Sequence, residues 1–267
     1  MKLKVFTVFS GYDSQCLALD RLKENYPDFD YELVGWSEID KYAIQAHNAL
    51  YPQWADRNYG DISKVDWKEV PDFDLFTYSF PCTDISNAGQ QKGLSKDSGT
   101  RSSLLWECQR AIEIKRPKYL LMENVSALVS EKFIPYFNEW QLLVARYGYS
   151  NYTQVMNAKD FGVPQNRERV FMVSILGGEV YYFPEPMKLD KRLKDVLEAE
   201  VDEKYYLSDK LISMFTAHTE KAKSKGNGFK FSPTDGGGCA KAILTRAGSR
   251  PDDNFIIDGQ ETNKTIK

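Results

Sequence analysis

KVFTVFSGYDSQCLALDRLKENY, residues 4–26, is the stretch that decides the fold. Residues 4–10 are a short apolar run rich in Val and Phe, the composition of a buried strand. GYDSQ then turns the chain into CLALDRLKENY (16–26), whose apolar positions recur at helical spacing. The same strand-then-helix unit repeats downstream. YELVGWSE (31–38) is the next strand, and IDKYAIQAHNALYP is a helix stopped by Pro52. FDLFTYSF (73–80) is a third strand; after a polar, Gly-bearing loop running to Gly99, RSSLLWECQRAIEIKR is a helix that ends before Pro117. KYLLMEN (118–124) is a further strand, FIPYFNEWQLLVARYG an amphipathic helix, and YTQVMN and RVFMVSIL are two more strands.

Alternation at this rhythm implies an α/β domain: an open, mostly parallel, doubly wound sheet with helices on both faces. In such sheets the ligand lies beyond the carboxyl ends of the strands. Ser10, Glu38, Pro81, Cys82, Glu123 and Asn124 all fall where strands are expected to end. After Pro184 the rhythm weakens; RLKDVLEA (192–199) and LSDKLISMF (207–215) read as short helices. The expected division is a large domain over 1–184 and a smaller one over 185–267.

Bulk properties exclude several classes. At 267 residues with 42% hydrophobic and 27% charged side chains, the chain has the composition of a globular protein. It has no apolar stretch long enough to cross a bilayer and no cleavable leader at its start, so a cytoplasmic protein is expected. Cys16, Cys82, Cys108 and Cys239 are widely separated, as are His47 and His218, which argues against a metal site or a disulfide framework. The net charge is −3, yet residues 221–250 carry five Lys and two Arg against one Asp, a local charge of +6. A basic, Gly-rich tract in an acidic protein is a candidate nucleic-acid surface; a solvated loop is the alternative.

Six segments could carry chemistry. FSG (9–11) turns a strand into a helix through Gly, bringing backbone N–H groups toward a ligand. Glu38, ending the second strand, has the position of a carboxylate that accepts from both ribose hydroxyls of a nucleoside, and Asp61 in YGDIS could accept from an adenine amino group. In FPCTDIS (80–86), Cys82 follows a buried strand and a proline; in a strand-end loop a reactive thiolate is favoured over a core cysteine, whereas Cys16 and Cys108 read as core. In MENV (122–125), Glu123 emerges from apolar LLM, and desolvation there would keep a proton on it near neutral pH, as a general acid requires. In VPQNRERVF (163–171), an extended backbone would place Gln165, Arg167 and Arg169 on one face, suited to phosphate or carboxylate, with structural ion pairs as the competing role.

Taken in order, these segments resemble the cytosine-5 DNA methyltransferase family over essentially 1–180. The resemblance rests on FSG with Glu38 and Asp61, then FPC, a GQQKG loop, ENV and QNRER. It implies a Rossmann-like sheet of the S-adenosylmethionine-dependent methyltransferase type, followed by a small, here partial, target recognition domain. It also implies that Cys82 attacks C6 of a flipped-out cytosine in double-stranded DNA, making C5 an enamine-like carbon that takes the methyl group. Loss of the C5 proton and expulsion of Cys82 then restore the ring. Glu123 would engage N3, Arg167 and Arg169 would position the base and Cys82, and Asn124 and Gln165 would support them. Phe9, Gly11, Glu38, Ile39, Asp61, Ile62 and Pro81 would form the S-adenosylmethionine pocket. Ser86, Lys241, Thr245, Arg246 and Arg250 would contact DNA, and the loop 83–100 would close over it, supplying contacts that offset the cost of flipping.

The sequence departs from the family pattern in two places. Tyr12, Asp13 and Ser14 stand where further glycines are frequent, and Ile39 where an aromatic residue is frequent. Family members also usually continue with a segment that rejoins the catalytic sheet. Its absence implies either a piece of a longer chain or a second polypeptide that supplies it, and poor methylation by this chain alone. Three other readings compete: an RNA (tRNA) cytosine-5 methyltransferase using the same FPC and ENV chemistry, a non-catalytic DNA-binding module on the same scaffold, and a nicotinamide oxidoreductase, which leaves FPC and QNRER unexplained.

Overall fold

A computed structural model describes residues 2–81, 104–224, 226, 230–243, 248–257 and 265–266. In chain order the strands are β1 (Lys2–Val8), β2 (Asp30–Ser37), β3 (Leu75–Tyr78), β4 (Tyr119–Val125), β5 (Tyr149–Asn157), β6 (Gln165–Asn166), β7 (Glu168–Leu176), β8 (Ala240–Lys241), β9 (Ile256–Ile257) and β10 (Thr265–Ile266). The helices are α1 (Ser14–Asn25), α2 (Lys41–Leu50), α3 (Leu105–Lys115), α4 (Ile134–Arg146) and α5 (Asp209–Ser224).

Six strands form one sheet in the order β2-β1-β3-β4-β7-β5. β1 pairs in parallel with β2 and β3, and β3 with β4, whereas β7 runs antiparallel to β4. The chain therefore leaves β1 toward one edge and returns on its other side at β3. That reversal puts the topological switch point beyond the carboxyl ends of β1 and β3, where this class of sheet opens a crevice.

Side-chain alternation divides the interior in two. Val5 and Leu33 pack with Cys16 and Leu19 of α1 and with Ile44, from α2. Phe6, Val8, Phe76, Tyr78, Leu120 and Met122 face the other way, onto Leu105, Ala111 and Ile112 of α3 and Phe137, Trp140 and Val144 of α4. Helices thus cover both faces of the sheet. The second layer is dense in aromatics: Phe6 lies 5.2 Å from both Trp67 and Phe73, ring centroid to centroid, and the buried Trp140 indole donates to the Tyr78 hydroxyl at 3.1 Å. Each such ring removes a large apolar area from water, and the buried indole N–H keeps a partner.

The chain forms two compact units: Met1–Val155 with Arg169–Phe183, and Met156–Glu168 with Pro184–Lys267. Residues 156–168, expected in the large domain, group with the second unit instead. The reason is backbone pairing: Gln165 and Asn166 in β6 run parallel to Ala240 and Lys241 in β8, and the Met187 N–H donates to the Asp160 carbonyl. The second unit has its own small core of Leu207, Phe215 and Phe255, joined by Phe231. The short helix expected over 192–199 is only a 3-10 turn, Leu193–Val196, whose first two N–H groups, of Leu193 and Lys194, donate to the Gly238 and Gly236 carbonyls. In contrast, the helix expected over 207–215 extends to Ser224 as α5. Among the described residues no helix is long and apolar enough to cross a membrane, and no cluster of His, Cys, Asp or Glu is placed to hold a metal ion.

Candidate active site

The loop after β1 is strained in a regular way. Phe9, Gly11 and Asp13 have φ of 55°, 58° and 66°, so every second residue is left-handed. For Phe this conformation is unfavourable by about 1–2 kcal/mol, and such outliers gather where a backbone is held against a ligand. A Cβ on Gly11 would meet nothing within 4 Å, so Gly is required there by its φ and not by crowding. Gly11→Ala is expected to destabilise the protein by about 1 kcal/mol, read as the shift of a urea unfolding midpoint.

Asp13, standing where the family often has glycine, is fully buried and anchors this loop. Its Oδ2 accepts from the Thr7 hydroxyl at 2.8 Å and its Oδ1 from the Cys16 N–H at 3.3 Å, capping α1. The Ser10 hydroxyl lies 2.9 Å from that of Thr7. His47, buried and stacked on Trp36 with centroids 3.6 Å apart, brings Nε2 to 3.6 Å from Asp13 Oδ2. At that distance the contact is not a hydrogen bond. The side-chain bonds offset the cost of the left-handed backbone that glycine would adopt freely. Asp13→Ala leaves these buried partners without an acceptor and is expected to cost about 3 kcal/mol or more. Asp13→Asn, which keeps an acceptor, should cost less; the two unfolding midpoints check the order.

Glu38 follows β2 directly. Its Oε2 accepts the Gly11 N–H at 3.0 Å, and its Oε1 accepts those of Ile39 and Asp40 at 2.7 and 2.9 Å. An ionised carboxylate has about four acceptor positions. Three are occupied by backbone N–H groups, which fix the direction of the carboxylate. Ile39 beside it is 63% exposed and Tyr12 51%, apolar surface suited to a flat ring.

Asp61 caps the 3-10 turn Ile62–Lys64, its Oδ1 accepting from the Ser63 hydroxyl at 2.8 Å and the Ser63 N–H at 3.0 Å. The Ser63 bonds hold the carboxyl below the usual range, so it is ionised at neutral pH. Its Oδ2 makes no hydrogen bond among the described residues. The Ile62 side chain is buried in the main core, so only its backbone is available to a ligand.

Beyond β3, Phe80 is buried and its carbonyl accepts from the Asn124 carboxamide at 2.9 Å. Asn124 Oδ1 also accepts the Val125 N–H at 2.9 Å. Asn124 thus ties the end of β4 to the turn immediately before Pro81. Cys82 and Ser86, with the rest of the loop 83–100, lie outside the described residues, as do Thr245 and Arg246.

Glu123 does not sit in the apolar surroundings expected of it. Its Oε1 accepts from Arg169 Nε at 2.9 Å, with 27% and 20% of the two side chains exposed. Antiparallel pairing of β4 and β7 sets Asn124 opposite Val170 and Val125 opposite Arg169, bringing the guanidinium to this strand end. The extended run expected through 163–171 is broken at Arg167, which separates β6 from β7. Asn157 Oδ1 accepts the Arg167 N–H at 3.0 Å, and the Arg167 carbonyl accepts from Ala158. Its guanidinium makes no ion pair or hydrogen bond among the described residues. Gln165, Arg167 and Arg169 therefore do not form one strand face: Gln165 pairs with β8 in the second unit, whereas Arg169 belongs to the sheet.

In the second unit the basic tract is partly neutralised. Lys241 Nζ donates to the Asp252 carbonyl at 2.8 Å, and Arg250 Nε lies 3.4 Å from Asp252 Oδ1. Asp253 Oδ2 accepts the N–H groups of Ser249 and Arg250 at 3.1 and 3.0 Å. The two aspartates follow immediately after the tract of +6 and lie beyond the window in which that charge was counted.

Sequence reasoning missed Asp13, His47 and Asn58, the last of which links Glu38 to Gly60. Two had a signal. Asp13 is a helix-capping residue type just before a helix, and Asn58 stands two residues before Gly60, the spacing of an Asx turn.

Sheet and site together define a class, the S-adenosylmethionine-dependent methyltransferase fold. The structure is similar to that of the S. pombe Dnmt2 methyltransferase, with a TM-score of 0.74 at 18% identity, over 98% of this chain and 78% of that one. Sequence then narrows the class: the chain matches the C-5 cytosine-specific DNA methylase family over residues 3–264 and belongs to it. It is similar to the type II methyltransferase M2.ScrFI of Lactococcus lactis subsp. cremoris, 41% identical over 263 residues, covering 79% of this chain and 72% of that protein. It is also similar to the orphan methyltransferase M.SssI of Spiroplasma monobiae, 42% identical over 324 residues, covering 99% and 79%. The activity is accordingly that of a DNA (cytosine-5) methyltransferase.

Proposed function

We propose that the chain methylates C5 of a flipped-out cytosine in double-stranded DNA through a covalent bond from Cys82 to C6, with S-adenosylmethionine bound at the carboxyl ends of β1 and β2. The observation that carries the reading is the common carboxyl edge of four parallel strands. Along it lie a left-handed Gly11 with open space above it, a braced Glu38, and the Asn124 tie to the residue before Pro81. The residues present fit the cofactor: Glu38 to accept from ribose, Asp61 Oδ2 to accept from an adenine amino group, and Phe9, Ile39 and Pro81 for apolar contact. When bound, S-adenosylmethionine supplies an electrophilic methyl group on a sulfonium.

The chain's own residues then do the following. Cys82 adds through sulfur to C6, and the electron pair displaced from the C5–C6 bond raises the charge on the ring. Glu123, held by Arg169, donates a proton to N3 and so takes up the negative charge that thiolate addition places on the ring; it takes that proton back when the ring is restored. Asn124 fixes the backbone leading to Cys82, while Arg167 and Gln165 orient the base. After transfer, the C5 proton passes to solvent, its bond pair re-forms the C5–C6 double bond, and the C6–S bond breaks with its electrons on sulfur, freeing the thiolate. Pro184–Lys267 acts as a target recognition domain, with Lys241 and Arg250 able to reach DNA by exchanging their contacts to Asp252 for phosphate oxygens.

A duplex carrying 5-fluorocytosine tests the reading, because fluorine cannot leave as a proton does. Incubation with S-adenosylmethionine should leave a denaturation-stable DNA adduct on the tryptic peptide containing Cys82. Cys16 and Cys108 are internal controls: both are fully buried, and burial pushes both thiols up, out of reach of thiolate chemistry. An adduct on another cysteine, or transfer to tRNA in preference to duplex DNA, would overturn the assignment.

A further inference from the structure

The carboxamide of Asn58 makes three hydrogen bonds, all to backbone. Its Oδ1 accepts the N–H groups of Glu38 at 3.2 Å and Gly60 at 2.9 Å, and its Nδ2 donates to the Glu38 carbonyl at 3.1 Å. Around it, the Tyr59 N–H donates to the Trp36 carbonyl at 2.8 Å and the Ser37 hydroxyl to the Gly60 carbonyl at 2.6 Å. Gly60 itself is left-handed at φ 69°, so the turn from Asn58 to Asp61 is tight. A continuous path therefore runs from Gly11 through the Glu38 carboxylate to the Glu38 backbone, then through Asn58 to Gly60 and the residue after it, Asp61.

We infer that Asn58 is a positioning residue for the cofactor, setting the separation between the ribose carboxylate, Glu38, and the adenine carboxylate, Asp61. This inference rests on the cofactor reading given above. The chemistry explains the residue type. Asn combines an acceptor and a donor on a one-carbon stem, Asp lacks the donor, and Ser and Ala cannot span both partners. A rigid ligand that engages two carboxylates at once gains most when their separation is set before binding, because no ordering cost remains at the moment of association.

Calorimetry on the full chain with S-adenosylhomocysteine, comparing wild type, E38Q, N58A and the double variant, tests it. Each single substitution is expected to weaken binding about tenfold, and the double variant to be little weaker than either, since the separation that Asn58 sets matters only while Glu38 engages the ribose. In turnover, N58A should raise the KM for S-adenosylmethionine about tenfold while kcat and the KM for DNA change less than about threefold. A bystander brace would not produce that split. If N58A fails to hold its fold in a thermal melt, N58D, which keeps Oδ1 and loses only the donor, carries the same test with a smaller expected loss. Unchanged binding by a folded N58A, or by N58D where N58A does not fold, overturns the inference if E38Q is weakened, as do fully multiplicative losses in the double variant. E38Q binding like wild type overturns the ribose assignment itself.

Discussion

Replacing Cys82 by Ala is expected to lower methyl transfer by about 10⁴-fold or more while leaving affinity for duplex DNA within a few-fold of wild type. C5 of cytosine is a poor carbon nucleophile until a group adds at C6, so removing the sulfur removes the route and not merely a contributing contact. Recognition, by contrast, draws on other groups: basic side chains, shape and the second unit. Methyl incorporation into duplex DNA and gel-shift affinity, measured on the same preparation, check the two halves separately. Residual transfer above about one per cent of wild type would exclude Cys82 as the obligatory nucleophile. Loss of DNA binding together with transfer would mean that the substitution had disturbed the loop and not the chemistry.

Glu123→Gln is the second large effect, expected to reduce kcat by about 10²–10⁴-fold with little change in folding stability. Both parts follow from the geometry. The Arg169 contact leaves about a quarter of the Glu123 side chain exposed, and a pair so open to water adds roughly 1 kcal/mol or less to stability. Gln keeps the shape and an acceptor for Arg169 but can neither carry charge nor deliver a proton to N3. Arg169→Lys should be milder, about tenfold, because an ammonium keeps the charge and loses the fixed fork that orients the carboxylate. Single-turnover rates and urea midpoints of the two variants check the pattern. A Glu123→Gln protein that turns over like wild type would remove Glu123 from the chemistry.

Much of the site was legible in the chain because its residues occupy predictable places. In a doubly wound sheet, whatever follows a buried strand stands at the ligand edge, so Glu38 and Pro81 could be placed from hydrophobic rhythm alone. Two of the readings that changed depended on which strand lies beside which. Glu123 was expected in apolar surroundings because its own strand is apolar; the ion pair comes from β7, distant in sequence and antiparallel. Gln165, Arg167 and Arg169 alternate in sequence, but β6 pairs with β8 and β7 with β4, and the break at Arg167 ends their common face. The charge of residues 221–250 is reduced by the Asp252 carboxylate, just beyond that window, which lies 3.4 Å from Arg250 Nε.

By itself the sequence determined the class of sheet, its carboxyl edge and the types of residue gathered there. These follow from local periodicity and from chain order. Only the tertiary structure decided which partner each of those residues meets: Arg169 for Glu123, Gly11 and Asn58 for Glu38, His47 and Thr7 for Asp13. The physical reason is range. A strand or helix is set by neighbours a few positions away, whereas a charge or a hydrogen bond is completed by whatever group lies within about 3 Å in space. Tertiary packing, not sequence separation alone, selects that group.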